Sequence, residues 1–462
     1  MPTVDEMDAL VDSLPEPAQV ELKLGFSTAD LQDLPLLQVE DYLKRLPPLE
    51  KKARENPQDL LLQKRYYETA SGAYAQDSAR LNALIASQKR VLENYLAQNP
   101  QSGEAHYQLS MLHTATGQIQ EAFAHAEQAS QWMPDSAKVW VHRASLHQNT
   151  GDIPKAKELF LEALRRDAQN LDAQILYLFS GFYEQMSQMS LDQLPGIQID
   201  GQYLEAAYAQ KPSRPLETLR YAAQLLEVFY RALAQLYLHM EEDDSSAKNS
   251  LQKLLSNDAR LPAIKDFFEK ELKNRKHNPG FVWQALGFVA LLQGQNPLAF
   301  EYFEKSRLAN PARADIYGNM IFLHVLKEEW QNAEKLIRQK IQMAPAPADY
   351  AMLARVYLQA GQPEKQGPAL EEGLQKYPQD ATLHYYRALV AYKNRDRDLA
   401  EMHLSESVQI SAQNLDAILV YGLWLVYRQR LQEGLQALYF AKSQGNETAA
   451  QVFDLYFEIK QE

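Results

Sequence analysis

Residues 280–313 read GFVWQALGFVALLQGQNPLAFEYFEKSRLANPAR, and this stretch decides the fold. Two apolar patterns with helical spacing lie on either side of Gly294, and Pro311 follows the second pattern. Glycine readily adopts the left-handed conformation that ends a helix, and proline cannot continue a helix. The stretch therefore predicts two helices that fold back on each other as a hairpin.

The same pattern occurs seven times in the chain. The repeats align at 103–136, 137–170, 280–313, 314–346, 347–380, 381–414 and 415–448, and only 314–346 is one residue short. Small residues dominate three alignment columns: column 8 (Ser110, Ala144, Gly287, Ile321, Ala354, Ala388, Gly422), column 20 (Ala122, Ala156, Ala299, Ala333, Gln366, Ala400, Gly434) and column 27 (Ala129, Ala163, Ser306, Lys340, Gly373, Ser407, Ala441). Six of seven residues are small in each column, where average composition would give only about a quarter.

Small residues at these columns let two paired helices approach to the short end of the usual separation of about 8–10 Å. One hairpin cannot bury its apolar face alone, so neighbouring hairpins must stack. The sequence therefore predicts an all-α solenoid of antiparallel helix hairpins. Below, helix A and helix B denote the first and second helix of each hairpin.

The repeat resembles the tetratricopeptide repeat family. The residues that carry the resemblance are the W-x2-L-G pattern and the small, aromatic and proline positions after it: Trp283, Leu286, Gly287, Ala299, Phe303, Ser306 and Pro311. The resemblance covers the seven repeats and implies a right-handed superhelical arrangement with a concave inner groove. It also implies a role in binding proteins or peptides.

Composition and charge exclude several other classes. The chain of 462 residues has no cysteine, which removes disulfides, thiol nucleophiles and Cys-ligated metal centres. A formal net charge of −13 disfavours nucleic acid as a partner. The most apolar stretch, Trp283–Leu292, is about half as long as the roughly twenty residues of a membrane span. The start of the chain does not resemble a signal peptide, so we expect a cytoplasmic protein if Met1 is native. Removal of a leader would leave a periplasmic location open.

The repeats divide the chain into six parts. We expect an acidic N-terminal arm with short helices (1–57), a degenerate helical repeat (58–102) and two full repeats (103–170). An irregular helical segment or divergent repeats (171–279) should follow, then five full repeats (280–448) and a C-terminal helix (449–462). Within the arm, helices near 28–46 should end at Pro47-Pro48. The arm either binds a partner, or is solvated or packs against the chain itself. The C-terminal helix is apolar on several sides, so it is either buried against its neighbour or used for self-association or partner contact.

No catalytic or phosphate-binding motif is present, and we predict no enzyme activity, no cofactor and no metal. Five of the ten histidines, His106, His113, His125, His142 and His147, lie close together in the sequence. A metal cluster is one interpretation. Two of the five recur at column 11, which favours interhelical contacts instead.

The side of helix A that faces away from helix B is assigned to the inner groove by the family resemblance. In the five later repeats this side is unusually apolar and aromatic, with two cations. We predict that it binds an amphipathic helix or an extended peptide, through Phe281, Phe288, Phe322, Arg355, Tyr385, Leu389, Tyr392, Lys393, Leu423 and Tyr427. The alternative is that the chain's own segments, the N-terminal arm or the 189–215 loop, fill the groove.

The sequence is compatible with two functional classes. The first is a non-catalytic scaffold or adaptor that holds a protein segment in an assembly, secretion or cell-envelope complex. The second is a regulatory or helper subunit of an enzyme, such as a glycosyltransferase-associated or peptide-sensing regulator. The absence of a strand-rich or basic region in the sequence favours the first class.

Overall fold

The computed structural model of the protein describes residues 26–35, 37–75, 77–189, 193–242, 256–311 and 313–458. These residues form α-helices and two short 3-10 turns, with no strand among them. The predicted all-α solenoid class is therefore confirmed. Most of the acidic arm, residues 243–255 of the irregular segment and the last four residues lie outside the described residues.

The chain divides into two compact units between Ala309 and Asn310. We call the described residues before this boundary the N-terminal unit and those after it the C-terminal unit. The boundary follows the first of the five consecutive repeats predicted over 280–448. Within the described ranges, every helix is too short or too polar to cross a membrane.

The described part of the N-terminal unit contains fourteen α-helices. They are α1 (Thr28–Leu31), α2 (Val39–Glu55), α3 (Leu60–Ala73), α4 (Ser78–Gln98), α5 (Gly103–Ala115), α6 (Ile119–Trp132), α7 (Ala137–Asn149), α8 (Ile153–Arg166), α9 (Leu171–Gln188), α10 (Gln202–Gln210), α11 (Arg214–Glu242), α12 (Leu261–Asn274), α13 (Gly280–Leu292) and α14 (Asn296–Ala309). Helices α5/α6, α7/α8 and α13/α14 form the predicted hairpins, and α9 packs on α8.

The described part of the C-terminal unit contains nine α-helices. They are α15 (Ala314–Leu326), α16 (Trp330–Met343), α17 (Pro347–Gln359), α18 (Gln366–Lys376), α19 (Ala381–Lys393), α20 (Arg397–Ile410), α21 (Leu415–Tyr427), α22 (Leu431–Ser443) and α23 (Glu447–Glu458). Helices α15/α16, α17/α18, α19/α20 and α21/α22 form four successive hairpins, and each hairpin packs on the next one.

Every helix A ends in the same way. In all seven repeats the residue at column 15 has a positive φ: Gly117 (74°), Gly151 (83°), Gly294 (70°), Glu328 (56°), Gly361 (70°), Arg395 (62°) and Gln429 (65°). The next backbone N–H then donates to the carbonyl at column 11, as in Gln118 N to His113 O at 2.8 Å. This is the Schellman ending of a helix. Glycine supplies it in four repeats, and three repeats accept the strain of a larger residue there.

The small residues at columns 8 and 20 lie where helix A crosses helix B. A Cβ atom added to Gly434 would lie 2.6 Å from the carbonyl oxygen of Gly422, and one added to Gly422 would lie 3.1 Å from the carbonyl oxygen of Gly434. Two hairpins carry a large residue at one of these columns, Ile321 and Gln366, and in both the two helix backbones lie close together over a shorter stretch than in the other five repeats. Small residues at the crossing are therefore associated with closer hairpins.

The first hairpin lies one helix earlier than the sequence predicted. Helix α3 packs chiefly against α2, not against α4, and the Gln63 side chain donates to Ala53 O at 2.7 Å. Helix α2 also continues through Pro47-Pro48, where a break was predicted. Leu46 and Ala53 are buried before and after the prolines. Apolar burial on both sides therefore favours the continuous helix against the cost of proline in its interior.

The terminal helix α23 packs against α22. Ala449 is fully buried, and Val452 and Phe453 contact the apolar core of the last hairpin. The ring of Phe453 lies 5.5 Å from that of Tyr439. The first half of α23 therefore covers the open end of the last hairpin. The remaining apolar residues predicted to promote self-association lie where the side chains are not described.

Candidate functional site

A row of side chains at column 9 is contributed by successive A helices of the C-terminal unit. The row consists of Phe322 on α15, Arg355 on α17, Leu389 on α19 and Leu423 on α21. Helices α17 and α19, which carry Arg355 and Leu389, contact each other directly. The repeat thus places one sequence column at equivalent positions on successive A helices.

The predicted groove residues of this unit differ in their exposure. Phe322, Arg355, Leu389, Tyr392 and Tyr427 are half-buried, and Lys393 is exposed. These six side chains can be reached by a partner, and we call them the inner-face set. The predicted groove therefore retains apolar, aromatic and cationic members in the C-terminal unit.

Two predicted groove residues of the same unit are instead buried. Leu423 is 3% exposed and Tyr385 is 4% exposed. Both belong to the apolar cluster of the last two hairpins, which includes Leu419 and Trp424. They support the inner-face set from beneath and do not line an open surface. Sequence spacing alone does not distinguish these two depths.

Burial also alters the chemistry of Tyr385. Its hydroxyl has no hydrogen-bond partner within the described part of the chain. Burial raises the pKa of this hydroxyl far above its usual value, and the Asp416 carboxylate raises it further. The hydroxyl therefore stays protonated, as a hydrogen-bond donor that lacks an acceptor.

Aromatic side chains continue the inner-face set toward α21. The ring of Tyr392 meets Trp424 edge-on at 6.0 Å, and Tyr427 lies 5.9 Å from the same indole. The guanidinium of Arg397 lies 5.5 Å from the Tyr427 ring centroid. Fixed aromatic rings offer a large contact area at a low entropic cost, which is typical of protein-binding surfaces.

In the N-terminal unit, Phe281 and Phe288 are completely buried, so they do not form the predicted open groove. The chain's own segments cover them. Phe26, from the N-terminal arm, lies 5.3 Å from Phe281, and Phe229, from α11, lies 4.7 Å from Phe288. The alternative prediction named the N-terminal arm, which lies against Phe281, but it did not name α11, which lies against Phe288.

The histidines act as interhelical contacts. His106 Nδ1 lies 2.9 Å from His125 Nδ1, and His384 Nδ1 lies at the same distance from His403 Nδ1. Both pairs join column 4 to column 23. Burial and, to a lesser extent, the facing histidine together lower the pKa of His125 and of His403 to about 4. Over the described residues, no cluster of three or more His, Asp or Glu side chains is arranged to hold a metal ion.

Column 11 histidines make a second recurring contact. His113 Nδ1 lies 2.8 Å from Gln118 Oε1, His147 Nδ1 lies 3.1 Å from Asp152 Oδ2, and His324 pairs in the same way with Glu329 at column 16. Each contact bridges the turn between helix A and helix B. These contacts were not predicted, although the His-x4-acceptor spacing that produces them is visible in the sequence.

A family profile described as tetratricopeptide repeat matches residues 113–178, which contain the α7/α8 hairpin. Residues 113–178 thus match the family that the sequence pattern resembles. No curated protein matches the sequence.

Several solved structures resemble this chain at low identity. A tetratricopeptide repeat protein from Parabacteroides merdae is 12% identical, with coverage of 70% of this chain and 99% of the other and a TM-score of 0.38. YrrB, described as a TPR protein with an unusual peptide-binding site, is 15% identical, with coverage of 41% and 98% and a TM-score of 0.31. The Cut9–Hcn1 hetero-tetramer of the APC/C is 15% identical, with coverage of 92% and 91% and a TM-score of 0.32.

Proposed function

We propose that this protein is a non-catalytic scaffold that binds a partner segment through the inner-face set of its C-terminal unit. The observation that supports this proposal is the column-9 row, which places Phe322, Arg355 and Leu389 on successive A helices, together with Tyr392, Lys393 and Tyr427. Tetratricopeptide repeats are generally interaction modules rather than catalytic domains.

The composition of the inner-face set indicates the kind of partner. Leu389, Tyr392 and Tyr427 contact the apolar cluster beneath them, so their positions are fixed before binding. Preorganised aromatic and aliphatic side chains bind apolar anchors at a low entropic cost. Arg355 and Lys393 add positive charge on the same face. We therefore propose a partner segment that is an amphipathic helix or an extended peptide with apolar anchors and nearby carboxylates.

The biological setting that we propose is an assembly, secretion or cell-envelope complex, in which a scaffold holds a segment of another protein. The competing function is a helper subunit that regulates an enzyme. Turnover by the purified chain, or activation of an enzyme by it, would favour that competing function.

The test is a crosslinking pull-down from native lysate with three variants of the full chain. Phe322→Glu and Lys393→Glu alter the inner-face set, whereas Met402→Glu changes a side chain that is 49% exposed on α20, a B helix. Circular dichroism checks that all three variants fold. We expect the first two to lose the partner and the third to retain it.

The affinity of each variant for the recovered partner segment then measures how much each side chain contributes to binding. We expect Phe322→Glu to weaken binding by at least about tenfold, which corresponds to about 1.4 kcal/mol. A partner recovered equally by all three variants would show that the inner-face set is not the binding site.

A further inference from the structure

Residues 26–33, which we call the arm segment, occupy the N-terminal unit as a bound peptide would. The Phe26 ring lies 5.5 Å from Phe179 on α9 and 5.3 Å from Phe281 on α13. Phe179 is the column-9 position of a repeat that begins at Leu171, and Phe281 is column 2 of its own repeat. The arm segment therefore covers a column-9 side chain, the position that contributes Phe322, Arg355 and Leu389 to the inner-face set of the C-terminal unit.

The first recognition element is an apolar contact surface for an aromatic side chain. The Phe26 ring packs on Phe179 and Phe281 and forms one wall of a small cavity whose other walls are Leu178, Phe179, Ile199, Ala223 and Leu226. All of these walls are apolar. An aromatic ring packed on such a surface is a typical anchor for a bound peptide.

The second element is a set of backbone donors for a carboxylate. Asp33 accepts the N–H groups of Lys276 at 2.9 Å, His277 at 3.2 Å and Asn278 at 3.0 Å. Burial alone would raise the pKa of Asp33, but these three N–H groups and Arg275 lower it overall. Successive backbone N–H groups that converge on one anion form a site for a carboxylate.

The third element is a buried arginine with unused donors. The Arg275 side chain is 1% exposed and lies 4.0 Å from the Asp33 carboxylate and 3.7 Å from that of Glu271. It donates to the backbone carbonyl of Asp30. The side-chain carboxylate of Asp30 accepts a hydrogen bond from Asn278 Nδ2 at 3.1 Å. Nε and Nη2 of Arg275 have no hydrogen-bond partner among the described residues. The arm segment thus leaves part of the donor capacity of this site unsatisfied.

The arm segment itself has the properties of a preformed ligand. Ser27 and Asp30 cap its single helical turn by reciprocal hydrogen bonds. Asp33 has a positive φ of 56°, a conformation that costs energy for a residue other than glycine. The contacts of Asp33 with residues 276–278 therefore hold a strained residue in place.

We propose that this site binds partner peptides and that the arm segment is its intramolecular competitor. The partner segment that fits carries an aromatic residue followed by aspartates four and seven positions later, as in Phe26, Asp30 and Asp33. The site shares no residue with the inner-face set, so either proposal can fail without the other.

The test measures binding of a fluorescein-labelled peptide with the sequence of residues 26–35 by fluorescence anisotropy. Two full-length proteins are compared: the wild-type chain and the double variant Phe26→Ser/Asp33→Ala, which vacates the site. A tethered segment competes at an effective concentration of the order of millimolar, so we expect the wild-type chain to bind the peptide about 10- to 100-fold more weakly than the variant. Peptides that carry Phe26→Ser or Asp33→Asn serve as matched controls and should bind poorly to both proteins.

Three results would overturn the proposal: no binding to a folded double variant, equal binding of the control peptides, or equal affinity of the two proteins. A second measurement needs only the wild-type chain, in case the double variant does not fold. Hydrogen exchange at the amides of residues 276–278 should be at least tenfold faster than in α13, because release of the arm segment exposes them. Exchange of these amides at the rate of α13 would show that the arm segment is a fixed part of the core, and this result would also overturn the proposal.

Discussion

Substitution of Gly434 by alanine tests how the hairpins close. A Cβ atom at this position would lie 2.6 Å from Gly422 O, 2.6 Å from Val426 Cγ2 and 2.8 Å from Val426 N. Two of these three atoms belong to the backbone of α21, so the helices must separate. Overpacking of this kind costs about 1–3 kcal/mol, whereas alanine gains about 0.5–1 kcal/mol over glycine inside a helix. We expect a net loss of about 1–2 kcal/mol in the free energy of unfolding.

The assay is urea denaturation of the full chain followed by circular dichroism, with hydrogen exchange of the α21/α22 peptides as a local probe. Gly367→Ala is the matched control, because this glycine also lies in the first turn of a B helix of the same unit and its added Cβ would meet only Arg387 at 3.8 Å. An added Cβ at Gly422 would make contacts of 3.0–3.2 Å. We expect Gly422→Ala to lose less stability than Gly434→Ala and more than Gly367→Ala. A Gly434→Ala protein as stable as the wild type would refute the reasoning.

Three further predictions concern pH, helix ends and the arm segment. His403 has its pKa lowered to about 4 by burial and by His384, so the unfolded chain takes up a proton that the folded chain does not as the pH falls from 7 to 5. We expect the free energy of unfolding, measured from urea midpoints, to fall by about 1–2 kcal/mol over this pH range, and to fall by less in His403→Asn. Gln429→Gly removes strain at a φ of 65°. We therefore expect the free energy of unfolding to rise by about 0.5–1 kcal/mol and calorimetry to show a higher Tm. Asp33→Asn weakens three hydrogen bonds to a charged acceptor, and we expect a loss of about 1–3 kcal/mol in the same urea assay together with faster exchange at residues 276–278.

The repeat fold could be predicted because its determinants are local and recur. Small residues at columns 8 and 20 indicate where the two helices of one hairpin cross. A glycine at column 15 indicates the turn between them. The two proline residues of α2 show the limit of local rules. Pro47-Pro48 predicts a break, but the burial of Leu46 and Ala53 against another helix overrides it. That burial depends on a partner helix that the pattern does not specify.

The candidate site was predictable as a set of columns but not as a surface. Column 9 contains Phe288, Phe322 and Leu423, which occupy equivalent positions in their own hairpins. Phe322 is half-buried, whereas Phe288 and Leu423 are buried. At Phe288 the burial comes from a residue outside the repeat, Phe229 on α11. Which segment covers which column is a tertiary property, and one repeat does not encode it.

Site-specific photocrosslinking tests the central claim most directly. A benzoylphenylalanine is placed at Leu389, in the inner-face set, or at Met402, on a B helix, in otherwise unchanged full-length protein. We predict that the Leu389 position crosslinks to one defined segment of a partner protein and that the Met402 position does not. Crosslinking of the same segment from both positions, or from Met402 alone, would contradict the assignment of partner binding to the inner face.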